Sequence, residues 1–285
     1  MSRIEEALRR LQGLSTVQAK PATLLATEVS REHDYGGRRI AIDTEQLKAL
    51  DLLAPNSDER HLAEEYRVIK RPIVRNADPT REPVVPNGNL VMVASALPGE
   101  GKTFTCLNIC LGIAREKDWR VVLVDGDCVK PHITRLFSAE REPGLIDLLR
   151  DPSLHFDSLV MPTDVPGLSF MPAGTFDQHG EELLASDRMH QLCTTLSSAD
   201  ARRMVVFDSS PLLLSTEAIA LSAHVGQVVF VVRADSTPRA AVQAALAKLD
   251  ASKAIGCVLN GAQAGDIGPA YGDYHHYGSS FREAQ

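Results

Sequence analysis

The chain has 285 residues, 30 Lys+Arg against 37 Asp+Glu for a formal net charge of −7, and 44% apolar residues, so wholesale disorder is excluded. No apolar run approaches the roughly 18 residues of a membrane-spanning helix, and the opening MSRIEEALRR carries no signal-peptide core. Residues 1–88 hold 14 basic and 14 acidic side chains, which puts the whole acid excess in residues 89–285; no basic face shows in the sequence, which weighs against nucleic acid as a partner.

Ser2 and Glu5 have capping-box spacing, and Ile4, Leu8 and Leu11 recur at i, i+4, i+7, so a short amphipathic helix is expected to open the chain. Residues 13–43 show no sustained period and read as a linker that completes a first segment, 1–43. A second helical pattern runs from Thr44 to about Arg71, with Leu62, Tyr66, Ile69 and Ile73 on one face and Pro72 expected to end or kink it. Residues 76–88 contain three prolines and predict an extended loop at the end of a second segment, 44–88.

From residue 89 the texture changes. Short runs rich in β-branched residues, at 90–95, 121–125, 168–173, 204–208, 227–232 and 255–260, alternate with helix-like stretches near 102–117, 181–198, 214–224 and 237–250. Runs without polar alternation are strands buried on both faces, which predicts an α/β domain over 89–267, its sheet mainly parallel and covered by helices on each side. The polar, glycine-rich residues 268–285 predict a flexible tail.

The first of these strands runs into SALPGEGKT (95–103) and then a helix, the context of a phosphate-binding loop. Its glycines let backbone N–H groups cradle phosphate oxygens, and the helix N-terminus favours an anion. Lys102 is placed to reach the β- and γ-phosphates, and the Thr103 hydroxyl to ligate Mg²⁺. Ala96 stands where the common G-x-x-x-x-G-K-[ST] pattern has its first glycine. Asp125 and Asp127 follow the second strand and Asp208 ends a later one; carboxylates at parallel strand tips face the crevice where the loop holds its ligand, and can manage Mg²⁺ or orient a nucleophile.

PGEGKT, VVLVDGD followed by Pro131, and MVVFDSSP together resemble the Walker A, A′ and B motifs of the bacterial tyrosine kinases, a P-loop NTPase family. The resemblance implies ATP and Mg²⁺ as cofactors and a nucleotide site at Pro98, Gly99, Glu100, Gly101, Lys102, Thr103 and Phe104. It implies catalytic roles for Lys102, Asp125, Asp127 and Asp208, with metal contacts from Thr103, Asp125 and Asp208. Arg233 and Thr237, with Val258, Leu259 and Asn260, resemble the family's later strand and base-reading segment. Glu64-x-x-Arg67-x-x-Lys70 resembles its oligomerisation helix, with Lys in the last place. Tyr271, Tyr274 and Tyr277 stand where the family carries an autophosphorylated tyrosine cluster, and they are three of the chain's five tyrosines.

The leading short helix is similar to exosortase-associated tyrosine autokinases of exopolysaccharide loci. That similarity implies trans-phosphorylation within a homo-oligomer and a membrane chain-length-determinant protein as activating partner. It implies a cytoplasmic chain, peripheral at the inner face of the membrane through that partner. Three positions depart from the family pattern: Val129 in place of Arg, Ser210 in place of the first of two prolines (the second is Pro211), and Glu217 in place of Asp. Two other readings compete. A ParA/MinD-like partitioning ATPase would carry a second lysine early in the loop, where this chain has Leu97, Pro98, Gly99 and Glu100. A nucleotide-gated scaffold would use the same site without transferring phosphate.

The remaining signals have ordinary explanations. Cys106, Cys110, Cys128, Cys193 and Cys257 contain no C-x-x-C and read as buried thiols in a reducing cytoplasm. His275 and His276 read as solvated tail residues, and Trp119 as a packing anchor.

Overall fold

The computed structural model describes residues 35–42, 47, 48, 50, 52, 53 and 60–262. The opening helix pattern and the tail with Tyr271, Tyr274, Tyr277, His275 and His276 lie outside the described residues.

In chain order the elements are α1 (Arg60–Ala77), β1 (Leu90–Ser95), α2 (Lys102–Ala114), β2 (Arg120–Asp125), α3 (His132–Leu136), α4 (Leu145–Arg150), α5 (Phe156–Leu159) and β3 (Met161–Pro162). There follow β4 (Leu168–Met171), α6 (Gly180–Leu184), α7 (Asp187–Ala199), β5 (Arg203–Asp208), α8 (Thr216–His224), β6 (Gln227–Arg233), α9 (Arg239–Leu246) and β7 (Ala254–Asn260). One seven-stranded sheet has the order β3-β4-β2-β5-β1-β6-β7. Every pairing is parallel except the antiparallel β3–β4 edge.

The apolar runs explain the layers. Every residue of β1 and β5 is buried, because helices cover both sides of the sheet centre. Successive side chains point to opposite faces. Val91, Val93, Val121, Leu123 and Val206 pack with Ile73 of α1 and Ile109 and Ile113 of α2. Leu90, Met92, Val122, Val124 and Phe207 pack with Leu148 of α4, Met189 of α7 and Leu221 of α8. Each such side chain contributes about 1.5–3 kcal/mol on full burial, so the sheet centre is where the fold is most strongly held. Trp119 is buried at the α2–β2 junction, with the Arg202 guanidinium carbon 5.4 Å from its ring centroid.

Four local expectations are corrected. The helix expected over 44–71 is described from Arg60 and continues through Pro72 to Ala77. Pro72 and Val68, whose carbonyl loses its helical donor, both lie on the exposed face where water can replace that donor, while Tyr66, Ile73 and Ala77 hold the inner face. Residues 35–42, read as linker, run along the β3 edge. Gly36 N and Gly37 N donate to Asp157 O and Val160 O at 3.0 and 3.1 Å, Ile40 bridges Thr163, and Tyr35, Ile40 and Ile42 are buried. The stretch 181–198 breaks into α6 and α7 because Ser186 caps α7, its Oγ accepting from Met189 N at 3.3 Å. Cys257 is exposed on β7, whereas Cys106, Cys110, Cys128 and Cys193 are buried as expected.

Helices α3, α4 and α5 are too short to leave a readable period, and β3 is a two-residue edge. Among the described residues no helix is long and apolar enough to cross a membrane. The carboxyl ends of β1, β2 and β5 lie side by side at the sheet centre, the place where open α/β sheets gather ligand-binding loops.

Candidate active site

The loop after β1 is shaped by its own backbone. Gly99 and Gly101 have φ of +78° and +95°, a left-handed region that favours glycine. Gly101 is the N-cap of α2 and offers no side chain to the first turn, so that turn's N–H groups remain free for an anion. Ser95 Oγ donates to Leu97 O at 2.9 Å, and Leu97 N donates to Glu100 Oε2 at 2.7 Å, closing the turn internally.

The three carboxylates meet at the strand tips. Asp125 and Asp208 are register partners across β2 and β5. Gly126 permits this approach: a Cβ there would lie 2.6 Å from Asp208 O, which instead accepts from Gly126 N at 2.9 Å. Asp208 Oδ2 accepts from the Thr103 hydroxyl at 2.7 Å, while its Oδ1 is buried with no hydrogen-bond partner among the described residues. Burial is the largest influence on Asp208 and raises its pKa to about 7; the Thr103 hydrogen bond and the Lys102 ammonium oppose it.

Asp125 and Asp127 are not equivalent. Asp125 is fully buried, and its Oδ2 accepts from both Thr134 N and Thr134 Oγ1 at 2.8 Å. Burial raises its pKa to about 6, against the pull of those two donors. Asp127 accepts from Lys130 N at 2.9 Å and lines the cleft, as Asp125 does not. Thr134 is a site residue that the sequence did not disclose; its one signal is its position nine residues after Asp125, beyond Pro131.

A cleft of about 780 Å³ opens over this constellation. Its lining combines Gly99, Gly101, Lys102, Thr103, Asp127 and Ser210 with the apolar Leu50, Leu52, Val129, Leu136 and Leu214. Pro98 and Phe104 also line it, and so do the departures Val129, Ser210 and Glu217. Glu217 accepts from Ser215 Oγ at 2.7 Å, and Ser210 Oγ is buried with no hydrogen-bond partner among the described residues. A Mg²⁺ ion prefers oxygen ligands and keeps substrate phosphates in its shell. The Thr103 hydroxyl and the unpartnered Asp208 oxygen fit that preference.

Other expected residues lie elsewhere. Asn260 Nδ2 donates to Glu100 O at 2.9 Å, beneath the loop, and Arg233 Nη1 reaches to 3.5 Å from Gly99 O. Neither side chain lines the cleft. Glu64 and Arg67 are exposed on α1. Lys70, expected beside them, is turned inward: its ammonium donates to Gly112 O and pairs with Glu116, each at 2.7 Å, leaving the side chain 13% exposed.

No family model matches the chain. EpsB of Ralstonia nicotianae is 37% identical over 146 residues, which is 51% of this chain and 19% of EpsB. The chain thus spans about a fifth of the first curated relatives' length. The tyrosine-protein kinase YwqD of Bacillus subtilis is 30% identical over 192 residues, 66% of this chain and 77% of YwqD. The solved kinase domain of VpsO superposes with a TM-score of 0.61 at 25% identity, covering 77% of this chain and 98% of that domain. The loop, the strand-tip carboxylates and these likenesses agree, and the chain belongs to the bacterial tyrosine kinases, a P-loop family.

Proposed function

We propose that this chain transfers the γ-phosphoryl group of ATP to tyrosine hydroxyls, and that Tyr271, Tyr274 and Tyr277 of a neighbouring copy are acceptors. The observation that carries this reading is the Thr103–Asp208 hydrogen bond at the foot of a cleft that Lys102 and Asp127 also line. The loop N–H groups and Lys102 bind and orient the phosphates. Thr103 and Asp208 hold Mg²⁺, which when bound neutralises phosphate charge. Val129, Leu136, Leu50 and Leu52 give an acceptor ring an apolar wall beside Asp127.

A tyrosine hydroxyl has a pKa near 10 and is almost wholly protonated at neutral pH. The loose transition state of phosphoryl transfer asks little of nucleophile basicity, so positioning dominates. The tyrosine oxygen bonds to phosphorus as the bond to the β-phosphate oxygen breaks. Asp127, which lines the cleft, takes the phenolic proton, and ADP departs. Asp125, held by Thr134, fixes the A′ turn from below. We assign it that positioning role.

Each phosphotyrosine adds about −1.5 to −2 charges at neutral pH. Several in a tail that already contains Asp273 repel one another and loosen the assembly, which makes phosphorylation an off-switch for the oligomer. Glu64 and Arg67, both exposed on α1, meet the neighbouring copy in this reading, by resemblance to the family's oligomerisation helix. By resemblance to exosortase-associated autokinases, the switch regulates exopolysaccharide polymerisation or export. A membrane chain-length-determinant protein acts as activator and holds the chain at the inner face of the membrane.

Mass spectrometry after incubation with Mg–ATP tests this. Phosphate on Tyr271, Tyr274 or Tyr277, lost in Lys102→Met, is the expected result. ATP hydrolysis with every tyrosine unmodified contradicts it and favours a partitioning ATPase.

A further inference from the structure

Glu100 poses an electrostatic problem. A carboxylate in a loop that receives a triphosphate repels it if the two face each other. The structure avoids this. Pro98, Gly99, Gly101, Lys102, Thr103 and Phe104 all line the cleft, whereas Glu100 does not and is only 3% exposed. The left-handed glycines on either side let its side chain pass beneath the loop.

Beneath the loop, Glu100 is tied at three points. Oε2 accepts from Leu97 N at 2.7 Å, Oε1 accepts from the Thr237 hydroxyl, and the main-chain carbonyl accepts from Asn260 Nδ2 at 2.9 Å. Thr237 Oγ1 itself accepts from Arg233 N at 3.1 Å. A backbone N–H can only donate, so the Thr237 hydroxyl proton is committed to Glu100. Asn260 lies so close that a Cβ at Gly101 would sit 2.0 Å from its amide nitrogen. The segment after β6 therefore holds the buried Glu100 carboxylate and the end of β7 holds its main-chain carbonyl, so both clasp the phosphate-binding loop through Glu100.

We propose that Thr237 and Asn260 are positioning residues for this loop, acting through Glu100 to set its N–H groups before nucleotide arrives. The proposal rests on the nucleotide-binding reading above. A loop organised in advance binds without an ordering cost, and that gain appears as affinity. Thr237→Val keeps the side-chain shape and removes the one hydroxyl; Thr237→Ser restores it. Asn260→Ala removes the second tie and widens the space at Gly101.

Calorimetric titration of the full chain with Mg–ADP separates the possibilities. Thr237→Val is expected to raise Kd about tenfold, equivalent to about 1.4 kcal/mol. Asn260→Ala should raise it several-fold, while Thr237→Ser stays within about twofold of the unsubstituted chain. In turnover, Thr237→Val should raise KM for ATP with kcat nearly unchanged, because bound phosphates then hold the loop themselves. A Thr237→Val affinity equal to that of the unsubstituted chain overturns the brace, and so does a Thr237→Ser variant as weak as Thr237→Val. If the unsubstituted chain takes up no Mg–ADP, the nucleotide reading falls with it; unaltered binding in Thr237→Val alone removes only the brace.

Discussion

Thr134→Val tests whether Asp125 is held as a positioned anion. The substitution keeps the branched shape and the N–H donor to Asp125 but deletes the hydroxyl that donates to the same carboxylate oxygen at 2.8 Å. It also leaves the buried Ala173 N–H without the acceptor it now has at 3.1 Å. A hydrogen bond to a charged group contributes about 1.5–3 kcal/mol, and an unsatisfied buried N–H costs about 1–3 kcal/mol. The first cost requires the charge. Asp125 has its pKa raised to about 6, above the unfolded value, so the group is mostly neutral at pH 5 and ionised at pH 8. Removing a donor to the anion raises the folded pKa further, and the native state then holds its proton over a wider range. Stability therefore falls more steeply as pH rises. We expect Thr134→Val to cost about 2 kcal/mol at pH 5 and about 4 kcal/mol at pH 8. Urea unfolding without nucleotide, followed by fluorescence of the single tryptophan Trp119, measures both. Equal costs at the two pH values, or less than about 1 kcal/mol at pH 8, would refute the reasoning.

Asp208 supplies a related prediction. Its pKa is raised to about 7 by burial, so the nucleotide-free fold loses stability as pH climbs from about 4 through 7. Asp208→Asn should stabilise the nucleotide-free chain at pH 8 by about 2–4 kcal/mol, read from the same denaturant titration; a less stable variant contradicts the burial argument. Lys70→Ala should cost about 1–2 kcal/mol through its lost contacts with Gly112 O and Glu116, while light scattering shows the assembly mass unchanged. Glu64→Ala with Arg67→Ala should do the reverse, shifting mass towards monomer at unaltered stability. An unchanged mass would remove these two residues from the oligomer contact.

The strands and the phosphate-binding loop were legible because their signals are local. A run such as VVLVD needs no partner to be read as a doubly buried strand, and PGEGKT between a strand and a helix carries its geometry in its glycines. Relations between distant positions were not legible. Nothing near Thr134 announces that it donates to Asp125, and Lys70 reads as an exposed partner of Arg67 until α2 is packed beneath it. Pro72 reads as a helix terminator because the exposed position of Val68, which makes the lost bond tolerable, is a tertiary fact. Residues 35–42 lack periodicity because they meet the sheet at a single bridge. Nothing near Asn260 announces that its amide donates to Glu100 O, 160 positions away.

Magnesium-dependent nucleotide binding tests the central claim most directly. ADP titrated into the unsubstituted chain with and without Mg²⁺, and into Thr103→Val under both conditions, isolates the Thr103–Asp208 pair. Mg²⁺ should tighten ADP binding about tenfold or more in the unsubstituted chain and leave Thr103→Val nearly unaffected. Absence of ADP uptake by the folded chain, or the same magnesium effect in Thr103→Val, would contradict it.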